Sequence, residues 1–293
     1  ETSHEQIIRD IHAGKYHPVY LMMGDEPYYI DLISDYIQNN VLNDSQKEFD
    51  QTIFYGKDTD TTTIINAAKR FPMMSPFQVI IVKEAQLIKD LDLLQHYISN
   101  FSKSTILVIC YKYNTVDGRK KWVQELKNTG IVFESKKLRD YEMAAWINKY
   151  IKSKNLVMDD KAIVMLTDFL GTDLSKVANE LEKLIITKPK DTNRISPEMI
   201  EKNIGISKDF NYFELEDALI NKDILKANRI IRYFADNKKA NPMVVIMSQL
   251  FGFFSNLMLY HYMTDKSAEA VAAEFKIHPF IARKFQKAAS SFN

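Results

Sequence analysis

An α/β domain followed by two helical domains is the architecture this sequence predicts, and three observations predict it. Strand-like apolar runs alternate with amphipathic stretches through about residue 140, the pattern of a domain built from βα units. After Phe133 the strand-like runs stop, and helical periodicity with short polar turns takes over. Glycine is scarce, 8 in 293 residues against about 20 at average usage, which disfavours many-turned β architectures and Gly-rich cofactor loops.

Residues 19–23 make a first strand that ends on Gly24, and residues 28–40 make its helix, with Pro27 suited to the first helical position. Residues 48–55 read as a second strand. Residues 61–69 read as a helix capped from the Asp58–Asp60 segment. The β-branched run 78–83 is a buried strand, 91–100 is helical, 104–111 is a strand, 120–129 is helical, and 131–133 closes the sheet. Helices then follow at 143–152, 159–169, 174–186 and 197–203, with Gly171 and Pro189 in the turns between them. A linker at 209–213 leads into a last helical block at 212–220, 224–237, 242–264, 268–275 and 279–290. The stretch 242–264 is apolar almost all round, which predicts burial between neighbouring helices rather than a membrane span.

The junction after the first strand is built like a nucleotide site and lacks its chemistry. A phosphate-binding loop needs GxxxxGK[ST], with glycines exposing backbone N–H groups, a Lys for the phosphates and a hydroxyl for Mg²⁺. None of these follows Gly24, and Asp25 and Glu26 stand where the phosphate would go. An ordinary βα turn has the same local signature. The second element of such a site is also altered. Hydrolysis wants an Asp at the end of the 79–82 strand for Mg²⁺ and then a Glu to orient water. Lys83 occupies the Asp place, with Glu84 behind it. No cofactor is expected.

Lys+Arg 39 against Asp+Glu 38 leaves net charge +1, less than a protein that grips naked nucleic acid unaided usually carries. Cys110 is alone, so no internal disulfide forms; its place within an apolar run reads as a core strand position and fits a reducing cytoplasm. The six His residues show no HExxH spacing and no Cys/His cluster, and His261 reads as a packing residue. No GxSxG turn is present. Catalytic and metal-binding residues are therefore expected to be absent.

Two segments look made for contact. Phe71-Pro72-Met73-Met74-Ser75-Pro76-Phe77 carries four large apolar side chains between prolines, and Met is adaptable on surfaces that meet partners. A loop tucked over the core would read the same way. Arg119, Lys120 and Lys121 beside Trp122 suit phosphate contact or a solvated helix face, as do Lys136, Lys137 and Arg139.

Taken in order, these markers resemble the delta subunits of bacterial DNA polymerase III, over nearly the whole chain. They are Val19–Leu21 through Gly24-Asp25-Glu26-Pro27-Tyr28, the 71–82 segment, Gly171-Thr172-Asp173-Leu174 with Asn179–Leu184, and Ile277-His278-Pro279-Phe280. The resemblance implies an AAA+-type, P-loop-derived domain without ATPase activity over 1–140, a three-helix lid over 141–207 and an oligomerising collar over 208–293. Relatives usually continue past the position matched by Asn293, so the collar is expected to be incomplete at its C-terminal end. It implies an accessory replication subunit of the cytoplasm that binds the sliding clamp (the beta subunit) and opens it for loading onto primed DNA. Other loader subunits would join through the collar. The family's apolar wedge, often Leu-Phe, falls on Met73 and Met74, with Phe71 and Phe77 in support. Two rivals stay open: an ATP-hydrolysing AAA+ motor subunit, against which the missing GK[ST] and Asp speak, and a helical nucleic-acid-binding module, against which the charge balance speaks.

Overall fold

The apolar runs 19–24, 78–82 and 105–110 are buried on both faces, as strands inside a parallel sheet covered by helices are, while the runs 51–55 and 131–134 flank them with partly exposed residues. The computed structural model describes residues 2–292. These divide into two units, one up to Lys137 and one from Leu138 onward.

In the first unit, α1 (His4–His12) precedes β1 (Val19–Gly24), α2 (Pro27–Asn40), α3 (Asp44–Asp50), β2 (Gln51–Tyr55) and α4 (Thr61–Ala68). Then come β3 (Gln78–Lys83), two 3₁₀ turns at Ala85–Leu87 and Leu91–Leu94, α5 (Gln95–Ile98), β4 (Thr105–Lys112), α6 (Lys121–Thr129) and β5 (Ile131–Glu134). The strand order is β2-β3-β4-β1-β5, and every pairing is parallel. Alternate residues of β1 serve two cores. Val19, Leu21 and Met23 pack with Leu107, Ile109, Trp122 and Leu126, whereas Tyr20 and Met22 pack with Ile30, Ile33 and Cys110. Cys110 is a buried strand residue, and burial pushes its thiol up to about 11.

Three local expectations for this unit change. Residues 48–50 end α3 rather than begin a strand, because an Asn43–Gln46 capping box nucleates a short helix there. The stretch 91–100 is a 3₁₀ turn followed by a single α-turn. Helix α1, capped by Ser3 and buried through Ile7 and Ile11, had no counterpart among the expected elements.

The second unit runs α7 (Asp140–Ser153), β6 (Val157–Met158), α8 (Asp160–Leu170), α9 (Leu174–Thr187), β7 (Arg194–Ile195) and α10 (Pro197–Ile204). It continues with α11 (Tyr212–Ile220), α12 (Ile224–Asp236), α13 (Met243–Tyr262), α14 (Ala268–Phe275), α15 (Pro279–Ala282) and α16 (Lys284–Ser291). It is helical except for the two-residue ladder β6–β7. Across the expected 207/208 boundary, Lys161 of α8 pairs with the buried Glu214 of α11 at 2.5 Å, and Lys226 of α12 takes the same carboxylate.

The expected burial of the long apolar helix does not hold. Ile246, Phe253, Leu257 and Tyr260 of α13 are buried, but Val244, Met247, Phe251, Phe254, Met258 and Tyr262 form an exposed stripe recurring every three or four residues. The neighbouring helices cover one side of α13 only: Phe253, Leu257 and Tyr260 pack with Val271 and Phe285, and Ile246 with Leu215 and Ile230. Among the described residues it is the one helix long and apolar enough to cross a membrane by length and composition. His261 is exposed as well, and its ring nitrogen hydrogen-bonds the Phe292 carbonyl at 3.1 Å rather than packing in the core.

Candidate functional site

The carboxyl ends of the strands, where an open α/β sheet holds its ligands at a topological switch point, are closed by the chain itself. Strand β1 lies between β4 and β5, so Gly24 sits at that switch point. Its φ of +134° suits glycine, and a Cβ there would lie 2.0 Å from the Ser135 carbonyl oxygen. The Gly24 N–H donates to the Asn114 carbonyl and the Glu26 N–H to the Ser135 carbonyl. The buried Glu26 side chain caps α2, accepting from Tyr28 N–H at 3.0 Å. The place where a helix N-terminus would receive a phosphate thus holds the protein's own carboxylate.

The same edge carries two cations tied to α2. Lys83 ends β3 and lies 3.4 Å from Asp35, and Lys112 ends β4 and lies 2.6 Å from Asp31. Asp31 and Asp35 are one helical turn apart, so α2 presents both to the strand ends. Glu84 adopts a left-handed conformation. Among the described residues no group of three or more His, Cys, Asp or Glu is placed to hold a metal.

At the opposite edge of the sheet, between α4 and β3, the apolar loop is open. Phe71 is 82% exposed, Met73 78% and Met74 57%. Phe77 does not share this exposure. It is half-buried, packs against the core that holds Tyr20 and Ile81, and meets the Tyr16 ring edge-on at 5.4 Å. The loop's exit is therefore fastened by Phe77, and its apolar surface consists of Phe71, Met73 and Met74. Phe49 at the end of α3 is exposed too.

Two polar side chains, neither conspicuous in the sequence, hold this loop. Asp50 is 4% exposed, and its carboxylate accepts from Met73 N–H at 2.5 Å, Met74 N–H at 2.8 Å and the Ser75 hydroxyl at 2.7 Å. Burial alone would raise its pKa, but these hydrogen bonds outweigh burial and hold it below the usual carboxylate range. Buried Gln78 aims its amide nitrogen at the Ala67 and Ala68 carbonyls that end α4 and at the Arg70 carbonyl just beyond it, at 2.5 Å, and Thr105 donates to the Ala68 carbonyl at 2.8 Å. The signal for Gln78 is one polar residue opening an apolar run; for Asp50 it is an acid at a helix C-terminus, where the dipole disfavours it.

The basic run is largely balanced locally. Arg119 pairs with Asp117 at 2.8 Å, pulling that carboxyl down to about 2, and Lys120 pairs with Asp92 at 2.7 Å. Asp92 also accepts from the Trp122 indole at 3.0 Å. Lys121 is exposed.

With this geometry in view, the known proteins that the chain is similar to become informative. Residues 20–136 match the family described as DNA polymerase III, delta subunit. The chain is 24% identical over 285 residues to DNA polymerase III subunit delta of Bacillus subtilis, covering 93% of this chain and 81% of that one. The solved structure of the Bacillus subtilis DNA clamp loader delta protein (YqeN) shares the fold, with TM-score 0.60 and 21% identity over 99% of this chain and 88% of that one. The resemblance carried by the sequence markers is thereby shown: the chain is similar to the DNA polymerase III delta subunits in sequence and in fold.

Proposed function

We propose that this delta-subunit relative binds a sliding clamp through Met73 and Met74, with Phe71 beside them, and opens it for loading onto primed DNA. The observation that carries the reading is the exposure of three large apolar side chains on a loop whose backbone is pinned. Apolar side chains on an unfastened loop would fold back onto the core; here Asp50, Gln78 and Phe77 hold the loop while the side chains stay in solvent.

The mechanism follows from binding alone. A ligand shifts a two-state equilibrium only by its differential affinity for the two states. A wedge that fits a clamp with a sprung interface better than a closed one therefore favours opening without any chemistry of its own. ATP hydrolysis is left to other loader subunits. The closed β1–α2 junction supports this: a nucleotide would have to displace the Glu26 cap and the Ser135 strand end.

In this reading the second unit comprises a lid over 141–207 and a collar over 208–293, and the exposed apolar stripe of α13 suits a surface that meets other loader subunits. Any DNA contact on the first unit falls to Lys121 more than to Arg119 or Lys120, whose charges are balanced by Asp117 and Asp92.

The direct test is retention of the purified chain on an immobilised sliding clamp from the same organism. Saturable binding without nucleotide is expected. No binding at micromolar concentration, or binding that requires ATP, would remove the reading.

A further inference from the structure

An aspartate at the last position of a helix faces the negative end of the dipole, and burying it adds a desolvation cost. Asp50 bears both and has no cationic partner among the groups that lower its pKa. What it has is the loop. Its three donors are consecutive, Met73 N–H, Met74 N–H and Ser75 hydroxyl, so one carboxylate fixes the backbone of both methionines. The anchor is itself rigid, because the next residue, Gln51, starts β2 and pairs in register with Val79 of β3. The carboxylate thus stands on the sheet edge and reaches across to the loop that enters the same sheet.

We propose that Asp50 is the positioning residue of the clamp-binding loop, holding the Met73–Ser75 backbone so that both methionines meet a partner already in their bound arrangement. The idea rests on the wedge reading and adds a second element, α3, to it. Preorganisation raises affinity by removing the ordering cost from the binding step. An unpinned loop would carry the same side chains and bind more weakly.

The experiment is a coupling cycle between Asp50→Ala and Met73→Ala/Met74→Ala, read as affinity for the sliding clamp and as amide exchange at positions 73 and 74. Asp50→Ala is expected to weaken clamp binding about tenfold, the scale of losing charge-assisted hydrogen bonds, and to speed amide exchange at Met73 and Met74 by at least as much. In the Met73→Ala/Met74→Ala background the same change should cost no further affinity, because its effect runs through those side chains. The isosteric Asp50→Asn, which keeps one carbonyl acceptor, should fall between. Additive losses would mean that Asp50 supports the fold generally, and unchanged affinity and exchange in folded Asp50→Ala and Asp50→Asn would overturn the proposal. Should Met73→Ala/Met74→Ala itself retain full affinity, the wedge reading fails, while exchange at 73 and 74 still decides whether Asp50 pins the loop.

Discussion

The two loops at opposite edges of the sheet use one device to opposite ends. In both, a buried carboxylate accepts from backbone N–H groups: Glu26 from Tyr28, and Asp50 from Met73 and Met74. At the β1–α2 junction the surrounding chain then packs down on the glycine so closely that even a Cβ there would lie 2.0 Å from the Ser135 carbonyl oxygen. At the α4–β3 loop the backbone is equally satisfied, but Phe71, Met73 and Met74 are left in solvent. The lesson is that satisfying the backbone and burying the side chains are separate decisions. A site is closed where both are done and presented where only the first is.

The sharpest way to break this comparison is to disturb the closed loop. Gly24→Ala places a Cβ 2.0 Å from the Ser135 carbonyl on a backbone of φ +134°, which should cost about 3 kcal/mol of stability or more. Urea melts measure it directly. The buried Cys110 thiol serves as a second probe, because β4, which carries it, pairs with β1. Thiol-reagent labelling at pH 8 should be slow in the native chain and faster in the variant. A melt within 0.5 kcal/mol of the parent, the ordinary range for surface changes, would show that the junction is looser than its geometry.

Disturbing the open loop should do the reverse. Met73→Ala with Met74→Ala removes exposed side chains, so stability and Cys110 labelling should be unchanged within about 0.5 kcal/mol. Clamp affinity should fall by about 2 kcal/mol or more, roughly thirtyfold, as for apolar anchors near an interface centre. If the double variant melts several kcal/mol lower instead, as buried Met→Ala changes do, the methionines belong to the core.

How much of this contrast is legible in the sequence depends on the range of the interactions behind it. Strands β1, β3 and β4 can be read from their continuous apolar runs, because burial on both faces leaves little room for another pattern. The absence of GK[ST] after Gly24 and of an Asp at position 83 is read directly from residue types. Helix α3 carries its own signal in the Asn43–Gln46 box, but the aromatic and β-branched residues after Phe49 mask it. The exposure of Met73 and Met74 cannot be read locally. It depends on Asp50, 23 and 24 residues away in the chain, and on where Phe77 finds its ring partner. The same reason defeats the reading of α13. An all-round apolar helix predicts burial, and which face stays uncovered depends on what α14 and α16 reach.

The α13 stripe gives a smaller and separate test of presentation. Phe251 is 75% exposed, so Phe251→Ser should leave the melt unchanged while weakening incorporation into an assembled loader by about 1–2 kcal/mol. Size-exclusion chromatography with the other loader subunits reads the outcome, and a loss of stability instead would place Phe251 in a core.

The smallest effect concerns pH and isolates the Asp50 anchor from everything else. Its folded pKa lies below the unfolded value of about 3.9. A depressed carboxyl contributes stability that is fully present above the unfolded value and is lost as pH falls through the folded one. The stability difference between the parent chain and Asp50→Asn should therefore be flat from pH 7 to about 5, because the carboxylate is ionised in both states there. Below about pH 4 it should shrink, since a protonated Asp50 accepts from the loop no better than Asn does. Clamp affinity should also be flat in the neutral range and fall only where the folded carboxyl itself protonates, at lower pH than the stability difference begins to shrink. A difference that already changes between pH 7 and 5 would mean that Asp50 titrates high, as a buried carboxyl without its loop donors would. In that case the loop is not pinned in solution, and the contrast with the closed junction dissolves.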